Sequence, residues 1–174
     1  MSVTDKMTPE GIRFMKELKE LARLEVFVGY QRGKKQSDDG HDLVDIAAWN
    51  ELGAKKGRKG EIPPRPFLRQ TFDKNQEKIA QAIGMSPQNL QNGATAQQIA
   101  GQLGALMEGL IQEEIPEGGF VPNAPITLEG GWMRTEGGKP FYVEPKKSDV
   151  PLIDTGQLRQ SVHHVVRAKG SGEE

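Results

Sequence analysis

The sequence contains no cysteine and only three histidines among its 174 residues. The lack of cysteine excludes disulfide bonds, thiolate nucleophiles and zinc sites with sulfur ligands, and it suits a reducing cytoplasm. No apolar run approaches the ~18 residues that a membrane-spanning helix needs. We therefore expect no membrane partner.

An excess of either charge is also missing, since 23 Lys and Arg face 24 Asp and Glu, for a net charge of −1. This balance gives no overall attraction to nucleic acid, so a DNA contact would need a local cationic patch. Apolar residues make up 35% of the chain, and adding the 21 glycines brings the sum close to the usual share. The chain can therefore bury a core, though a lean one. We predict a single α+β domain over residues 1–168 and a disordered tail over 169–174.

Apolar periodicity and capping residues predict most of the helices. Thr8 is suited to the N-cap of the first helix, and Thr95 with Gln98 forms a capping box before another. The predicted helices cover residues 8–22, 42–52, 66–83 and 94–114, with a short one from Asp154 to about Ser161. Alternating patterns predict strands over 24–30 and 162–167. We expect these strands in a small antiparallel sheet, packed against two or three of the amphipathic helices.

Residues 116–153 are rich in proline and glycine and predict an extended arm. Within this segment, two strand-like runs at 132–136 and 139–143 flank Gly137 and Gly138, a pattern typical of a β-hairpin. A long irregular segment in a compact domain usually has a task. We interpret it as an arm that reaches a neighbouring subunit.

Helix 94–114 contains two glycines, Gly101 and Gly104, which cost it ~1 kcal/mol each relative to alanine unless a neighbour packs closely there. Three carboxylates follow near its end, at Glu113, Glu114 and Glu117. They are interpreted as a solvated run of charge rather than an acid/base pair.

The three histidines do not converge on a catalytic or metal site. His163 and His164 are adjacent on a strand and point to opposite faces, so one is expected to pack across strands and the other to be solvated. His41 lies in an acidic loop that could hold a divalent cation weakly, although a solvated loop is favoured. The carboxylates of that loop are Asp38, Asp39 and Asp42. Because nucleophile and phosphate-cradle motifs are also missing, we predict no catalytic residue, metal ligand, cofactor or enzyme activity.

A short basic loop is the best candidate for nucleic-acid contact. Its cations are Lys55, Lys56, Arg58 and Lys59, and Trp49 is near enough in sequence to offer stacking. A solvated or subunit-contacting loop is the favoured interpretation, and a DNA-facing loop is the alternative. Both hold if the loop lines a channel through which DNA passes.

Three segments, taken in their order along the chain, carry a resemblance to a known family. The first joins Val28-Gly29-Tyr30 to Asp45-Ile46-Ala47-Ala48-Trp49-Asn50-Glu51-Leu52-Gly53. The second is Ile62-Pro63-Pro64-Arg65-Pro66-Phe67-Leu68-Arg69. The third joins Pro122-Asn123-Ala124-Pro125-Ile126-Thr127 to Pro151-Leu152-Ile153-Asp154-Thr155-Gly156-Gln157-Leu158-Arg159-Gln160-Ser161-Val162. Over most of residues 24–168, the set resembles the neck or tail-component family of tailed bacteriophages, with extra residues between Leu128 and Pro151.

The resemblance implies a virion structural protein that forms a homo-oligomeric ring, expected to be a hexamer, at the head–tail junction. It would act there as a neck, tail-completion or terminator protein after assembly in the host bacterial cytoplasm. The implied partners are copies of itself, adjacent neck and tail proteins, and DNA in the channel. The alternatives are a minor tail assembly protein and a DNA-contacting module that uses the 55–59 loop.

The motif residues are expected to hold the fold or to lie at a subunit interface. They are Trp49, Glu51, Pro64, Arg65, Pro66, Phe67, Arg69, Asp154 and Arg159. Arg65 and Arg69 are suited to binding carboxylates bidentately. Asp154 is expected to cap the short helix, with Leu158 inward and Arg159 outward. The segments expected at the interface are 31–41, 53–62 and 129–145.

Overall fold

The computed structural model describes residues 7–33, 40–57, 60–135 and 137–171, with the backbone alone at 55–57 and 60. The described residues form an α+β fold, as predicted. The helices are α1 (Pro9–Leu21), α2 (Leu43–Leu52), α3 (Phe67–Lys74), α4 (Gln76–Gly84), α5 (Ser86–Gln91), α6 (Ala96–Glu117), α7 (Pro125–Glu129) and α8 (Gln157–Gln160). The strands are β1 (Leu24–Gly29), β2 (Ala54–Gly57), β3 (Gly60–Ile62), β4 (Gly131–Arg134), β5 (Pro140–Val143) and β6 (His163–Ala168).

The strands form two-stranded pairs within the described part of the chain. β1 pairs with β6, which confirms that the two predicted strands are partners. β2 pairs with β3, and β4 with β5, both antiparallel. The hairpin predicted around Gly137 and Gly138 is therefore confirmed.

The chain divides into two compact units. The first comprises residues 1–28, 75–108 and 164–174, and the second comprises 29–74 and 109–163. Residues 96–108 of α6 thus belong to the first unit and 109–117 to the second. The single domain over 1–168 stays a prediction. Residues 169–171 form a turn after β6, and the remaining predicted tail lies outside the described residues.

The helix ends of the first unit are capped by side chains, some of them near in sequence and one from another helix of the same unit. Thr8 accepts a hydrogen bond from Gly11 N at 3.2 Å and caps α1, and the predicted capping box of Thr95 and Gln98 forms at α6. Glu17 on α1 accepts from Ala96 N at 2.8 Å, which satisfies another free N–H of that helix end. The buried apolar residues of this unit are Leu90, Ala96, Ile99, Ala100 and Met107.

Helix α1 uses these polar contacts for docking and leaves its apolar stripe uncovered. Ile12, Met15 and Leu18 are 58%, 38% and 37% exposed, and no residue of α1 is buried. Amphipathic periodicity thus predicted the helix but not what its apolar side contacts.

The second unit contains the larger core. Its buried apolar residues are Leu43, Ala47, Phe67, Leu110, Ile111, Ile115, Val143, Leu152, Leu158 and Val162. Two of these, Val143 and Leu152, come from the segment predicted as an extended arm. That segment is therefore packed into its own unit at these points, while the outer face of the β4–β5 hairpin is among its exposed parts.

Three predicted boundaries were wrong. The helix predicted over 66–83 is two helices, because Asn75 leaves helical geometry with φ −114° and ψ 18°. Residues 85–93, interpreted as a polar connection, contain α5, in which buried Leu90 supplies the anchor. The segment predicted as a basic loop contains β2, which pairs antiparallel with β3.

Candidate functional site: a buried arginine that joins the sequence motifs

Arg65 lies in an extended segment where prolines remove most of the backbone donors. Pro63, Pro64 and Pro66 have no N–H, and Arg65 N donates to Asn50 O at 2.6 Å. This bond ties the segment to the end of α2. Helix α3 starts at Phe67, immediately after the last of these prolines.

The Arg65 side chain is 7% exposed and donates to oxygen atoms from two distant parts of the second unit. Its Nε donates to Val121 O at 2.9 Å, and one terminal nitrogen donates to Asn50 Oδ1 at 3.3 Å. The other terminal nitrogen donates to Pro122 O and Asn123 Oδ1, each at 3.3 Å. Arg65 was expected to bind carboxylates, and this was wrong, because its acceptors are carbonyl and amide oxygens. Burial lowers the pKa of Arg65.

Glu51, the residue after Asn50, caps α3 from outside that helix. Its carboxylate accepts from Leu68 N at 2.8 Å and from Arg69 N at 3.1 Å. The first N–H groups of a helix have no partner within the helix, and its N-terminal end carries partial positive charge. The Glu51 carboxylate accepts hydrogen bonds from two of these N–H groups, and its negative charge lies at the positive end of the helix. Arg69 contributes its backbone N–H to this cap, and its side chain is exposed.

Gly53 allows α2 and the proline segment to approach closely. Its φ is 75°, and a Cβ at this position would lie 3.0 Å from Ile62 O and 3.1 Å from Pro64 Cδ. A side chain here would be strained by the backbone and crowded by the neighbouring segment. Residues 50–53 and residues 64–69 are therefore packed closely against each other within the second unit.

Phe67, the first residue of α3, places these packed segments against the core of the second unit. It is fully buried, and its ring meets Tyr30 edge to face at 6.2 Å between centroids. The hydroxyl of Tyr30 is buried with no hydrogen-bond partner among the described residues. Burial, assisted by the negative charge of Glu51, raises the pKa of Tyr30 well above its usual range.

Asp154 does not cap α8, contrary to our expectation. The N-cap is Gly156, with φ 79° and no side-chain cap, and Asp154 instead accepts from Lys147 N at 3.1 Å. Asp154 and Arg65 both act electrostatically on Lys146, whose pKa is lowered mainly by burial, while Asp154 opposes the shift and Arg65 adds to it.

Helix α8 has the predicted orientation. Leu158 is buried and Arg159 is exposed. Arg159 Nε donates to Gln112 O in α6 at 2.9 Å. The outward residue thus ties α8 to α6 within the second unit.

Trp49 contacts His41 edge to face at 5.2 Å between ring centroids and is 38% exposed. Asp42 caps α2 as predicted, accepting from Val44 N at 3.0 Å, and also accepts from Gly33 N at 2.7 Å. Asp38 and Asp39 lie outside the described residues. In the ranges the structure describes, no group of three metal-binding side chains is found.

The side chains of the basic loop also lie outside the described residues. The backbone of Lys55 and Lys56 belongs to β2, while Arg58 and Lys59 are not described at all. DNA contact by these four cations stays a prediction.

One further sequence interpretation needs correction. Glu114 is not solvated: it is 8% exposed and accepts from Gln70 Nε2 at 2.5 Å and Lys74 Nζ at 2.7 Å. His163 is exposed, as expected of one of the two histidines, and the Nδ1 of His164 lies 2.6 Å from Glu108 Oε2 on α6, a helix contact that the sequence did not predict.

No family model, curated protein or solved structure matches this chain. No described helix is long and apolar enough to cross a bilayer. A proposal for the function therefore rests on the contacts that the motif residues make.

Proposed function

We propose that this chain is a structural protein of a tailed bacteriophage that forms a homo-oligomeric ring at the head–tail junction. It acts there as a neck, tail-completion or terminator protein. The observation that supports this most is that Arg65 joins the three motif segments behind the resemblance, through Asn50, its own proline segment and residues 121–123. The motifs thus form one framework.

This framework suits a protein that presents surfaces rather than one that turns over a substrate. Arg65 is enclosed and makes four side-chain hydrogen bonds within the protein, and Glu51 is occupied by two backbone N–H groups. A catalytic group has to face a substrate and be poised to react with it. The motif residues instead fix the positions of α2, α3 and the segment that leads to the β4–β5 hairpin.

Exposed apolar side chains also support a role in assembly. Large apolar side chains left exposed are available for burial against a partner, and each unit displays several of them. In the first unit those more than half exposed are Met7, Ile12, Phe27, Ile83 and Met85, and in the second they are Leu52, Phe72, Val121 and Trp132. An assembled particle would cover part of this surface.

Deletion of the gene from the phage or prophage that carries it tests the proposal. We expect filled heads without tails, or heads that leak DNA, when particles are viewed by electron microscopy. A tagged copy should restore infectivity and place its label at the junction. Infectious particles with full tails in the deletion strain would contradict the proposal.

The label also distinguishes the proposed role from a minor tail assembly protein. An assembly factor would be required for tails yet absent from mature particles. A structural component stays in the particle in a fixed number of copies.

A further inference from the structure

The β4–β5 hairpin has two chemically different faces. Phe141 and Met133 are half-buried and Val143 is 4% exposed, whereas Trp132 and Tyr142 are 73% and 49% exposed. Trp132 and Tyr142 are direct partners in the antiparallel register, and their rings pack edge to face at 5.6 Å. The outer face thus presents a preformed aromatic pair.

The hairpin is held in shape by its own hydrogen bonds. Thr135 N donates to Lys139 O at 2.9 Å, and Gly138 N donates to Thr135 O at 2.8 Å. Arg134 reaches Gly138 O at 3.2 Å from the same strand end. Because the chain is already ordered, docking of this face costs less conformational entropy than docking of a flexible arm.

The composition of the outer face favours a protein partner. Trp, Tyr and Arg are the residues most enriched in the energetic centres of protein interfaces. Next to the aromatic pair lie Arg134 and Pro140, which face each other in the register, and Lys139 follows at the tip. Counting Glu136 from the sequence, residues 134–139 carry a net positive charge.

The end of α6, in the same unit, presents two exposed carboxylates, Glu113 and Glu117, on its surface. Its last turn has no basic residue of its own, and the nearby cations Lys74 and Arg159 bind Glu114 Oε1 and Gln112 O. Glu114 is paired with Lys74, whereas Glu113 and Glu117 are exposed and have no ion pair among the described residues. Like charges four residues apart at a helix C-terminus are locally unfavourable, and such departures from local rules concentrate where a protein binds something.

We infer that the outer face of the β4–β5 hairpin docks on the C-terminal end of α6 in a second copy of this chain. Arg134 and Lys139 lie against Glu113 and Glu117, and Trp132 and Tyr142 are covered beside them. The two surfaces are different patches of one subunit, so the contact is heterologous and repeats from copy to copy around a ring. The inference rests on the proposed function in requiring a homo-oligomer.

Charge reversal on either side tests this contact in the purified full chain. One variant is Arg134→Glu with Lys139→Glu, and the other is Glu113→Lys with Glu117→Lys. Each alone makes both surfaces alike in sign, so each should raise the dissociation constant for self-association by about tenfold or more, as measured by sedimentation velocity. Mixed in equal amounts they should associate again, because each surface then meets its opposite on the other variant.

Two controls separate this contact from general effects of charge and hydrophobicity. Lys16→Glu with Lys78→Glu changes the net charge equally at exposed sites of the first unit and should leave association unchanged. Trp132→Ala should weaken association by about tenfold or more, whereas Phe27→Ala, which removes a 52% exposed ring elsewhere, should not.

A monomeric wild-type chain at every concentration would overturn the inference, and so would a mixture of the two reversed variants that fails to associate. Wild-type rings that tolerate both reversals would also overturn it but leave the proposed function standing. The deletion phenotype in particles tests that function separately.

Discussion

Arg159 donates its Nε–H to the carbonyl oxygen of Gln112 at 2.9 Å. In an uninterrupted α-helix that carbonyl would accept from the N–H of residue 116, but residue 116 is Pro116, which lies within α6 and has no N–H. A side chain from α8 thus satisfies a helix carbonyl that the sequence of α6 leaves free. The helix can therefore continue to Glu117 despite its proline.

Replacement of Arg159 tests whether its side chain takes the place of the N–H that Pro116 lacks. Arg159→Ala should lower the free energy of unfolding by about 1 kcal/mol, because a hydrogen bond to a helix carbonyl is lost. In a Pro116→Ala background the new N–H can bind Gln112 O, so the same replacement should cost clearly less. Urea denaturation of the four proteins of this double-mutant cycle gives the coupling. Equal costs in both backgrounds would contradict this account of the contact.

Arg65 should be far more sensitive than Arg69, although both come from one motif. Arg65→Ala removes a buried side chain and four hydrogen bonds to Asn50 and residues 121–123, so we expect a loss of about 3 kcal/mol or more in unfolding free energy. Arg65→Lys should recover little, because an ammonium cannot reproduce the planar set of donors. Arg69→Ala removes only an exposed side chain and should lie within about 0.5 kcal/mol of wild type. Chemical denaturation measures all three, and comparable losses at both positions would contradict the assigned role.

Two glycines of α6 should respond oppositely to alanine. A Cβ on Gly104 would lie 2.4 Å and 2.7 Å from ring carbons of His164, whereas nothing lies within 4 Å of one on Gly101. Gly101→Ala should therefore stabilise the chain by about 0.5–1 kcal/mol through helix propensity. Gly104→Ala should destabilise it, because the His164 ring and its contact with Glu108 must shift. Thermal unfolding of the two variants distinguishes them, and a gain at Gly104 equal to that at Gly101 would show that the ring moves freely.

The two tyrosines of the chain provide a test by pH. Burial raises the pKa of Tyr30 above its ordinary value of 10.0, so the folded protein keeps the phenolic proton at pH values where the unfolded chain releases it. The stability linked to this group is complete below about pH 10 and falls as pH rises beyond it. Tyr30→Phe should reduce that alkaline loss. At neutral pH it should be neutral or stabilising by up to about 1 kcal/mol, because the buried hydroxyl has no partner among the described residues.

Tyr142→Phe is the matched control, since Tyr142 is half exposed on the hairpin. It should change neither the neutral nor the alkaline stability. Unfolding curves measured at pH 7 and at several values above 10 make the comparison. An unchanged alkaline loss in Tyr30→Phe would rule out Tyr30 as its source.

Local patterns were sufficient for much of the secondary structure. Thr8, Asp42, and Thr95 with Gln98 cap the helices that they were expected to begin, and the strands at 24–30 and 162–167 were located nearly to the residue. Capping bonds join residues two or three positions apart, so the information that determines them is contained in a few neighbouring letters. The glycine pair between β4 and β5 acts over a similarly short range.

The candidate site was only half predictable for the same reason. The motif residues were recognised from the sequence, but Arg65 was assigned carboxylate partners and Asp154 a capping role, and both assignments were wrong. The Nε contact of Arg65 spans 56 positions, and the capping contact of Glu51 with α3 spans 17. No local pattern carries information over that separation, so the choice among the many available oxygens depends on how the second unit packs.

The sequence by itself thus determined where α1, α2, α6, β1 and β6 begin, the hairpin turn, the absence of cysteine chemistry and the near-neutral charge. Tertiary structure alone decided that Glu51 caps α3, that Arg159 supplies the donor that Pro116 lacks, and that Glu114 is buried beside Lys74. It also decided that α1 keeps its apolar stripe exposed. The physical reason is that a buried polar group must find a partner wherever packing places one, whereas a turn or a cap is satisfied by residues already adjacent in the chain.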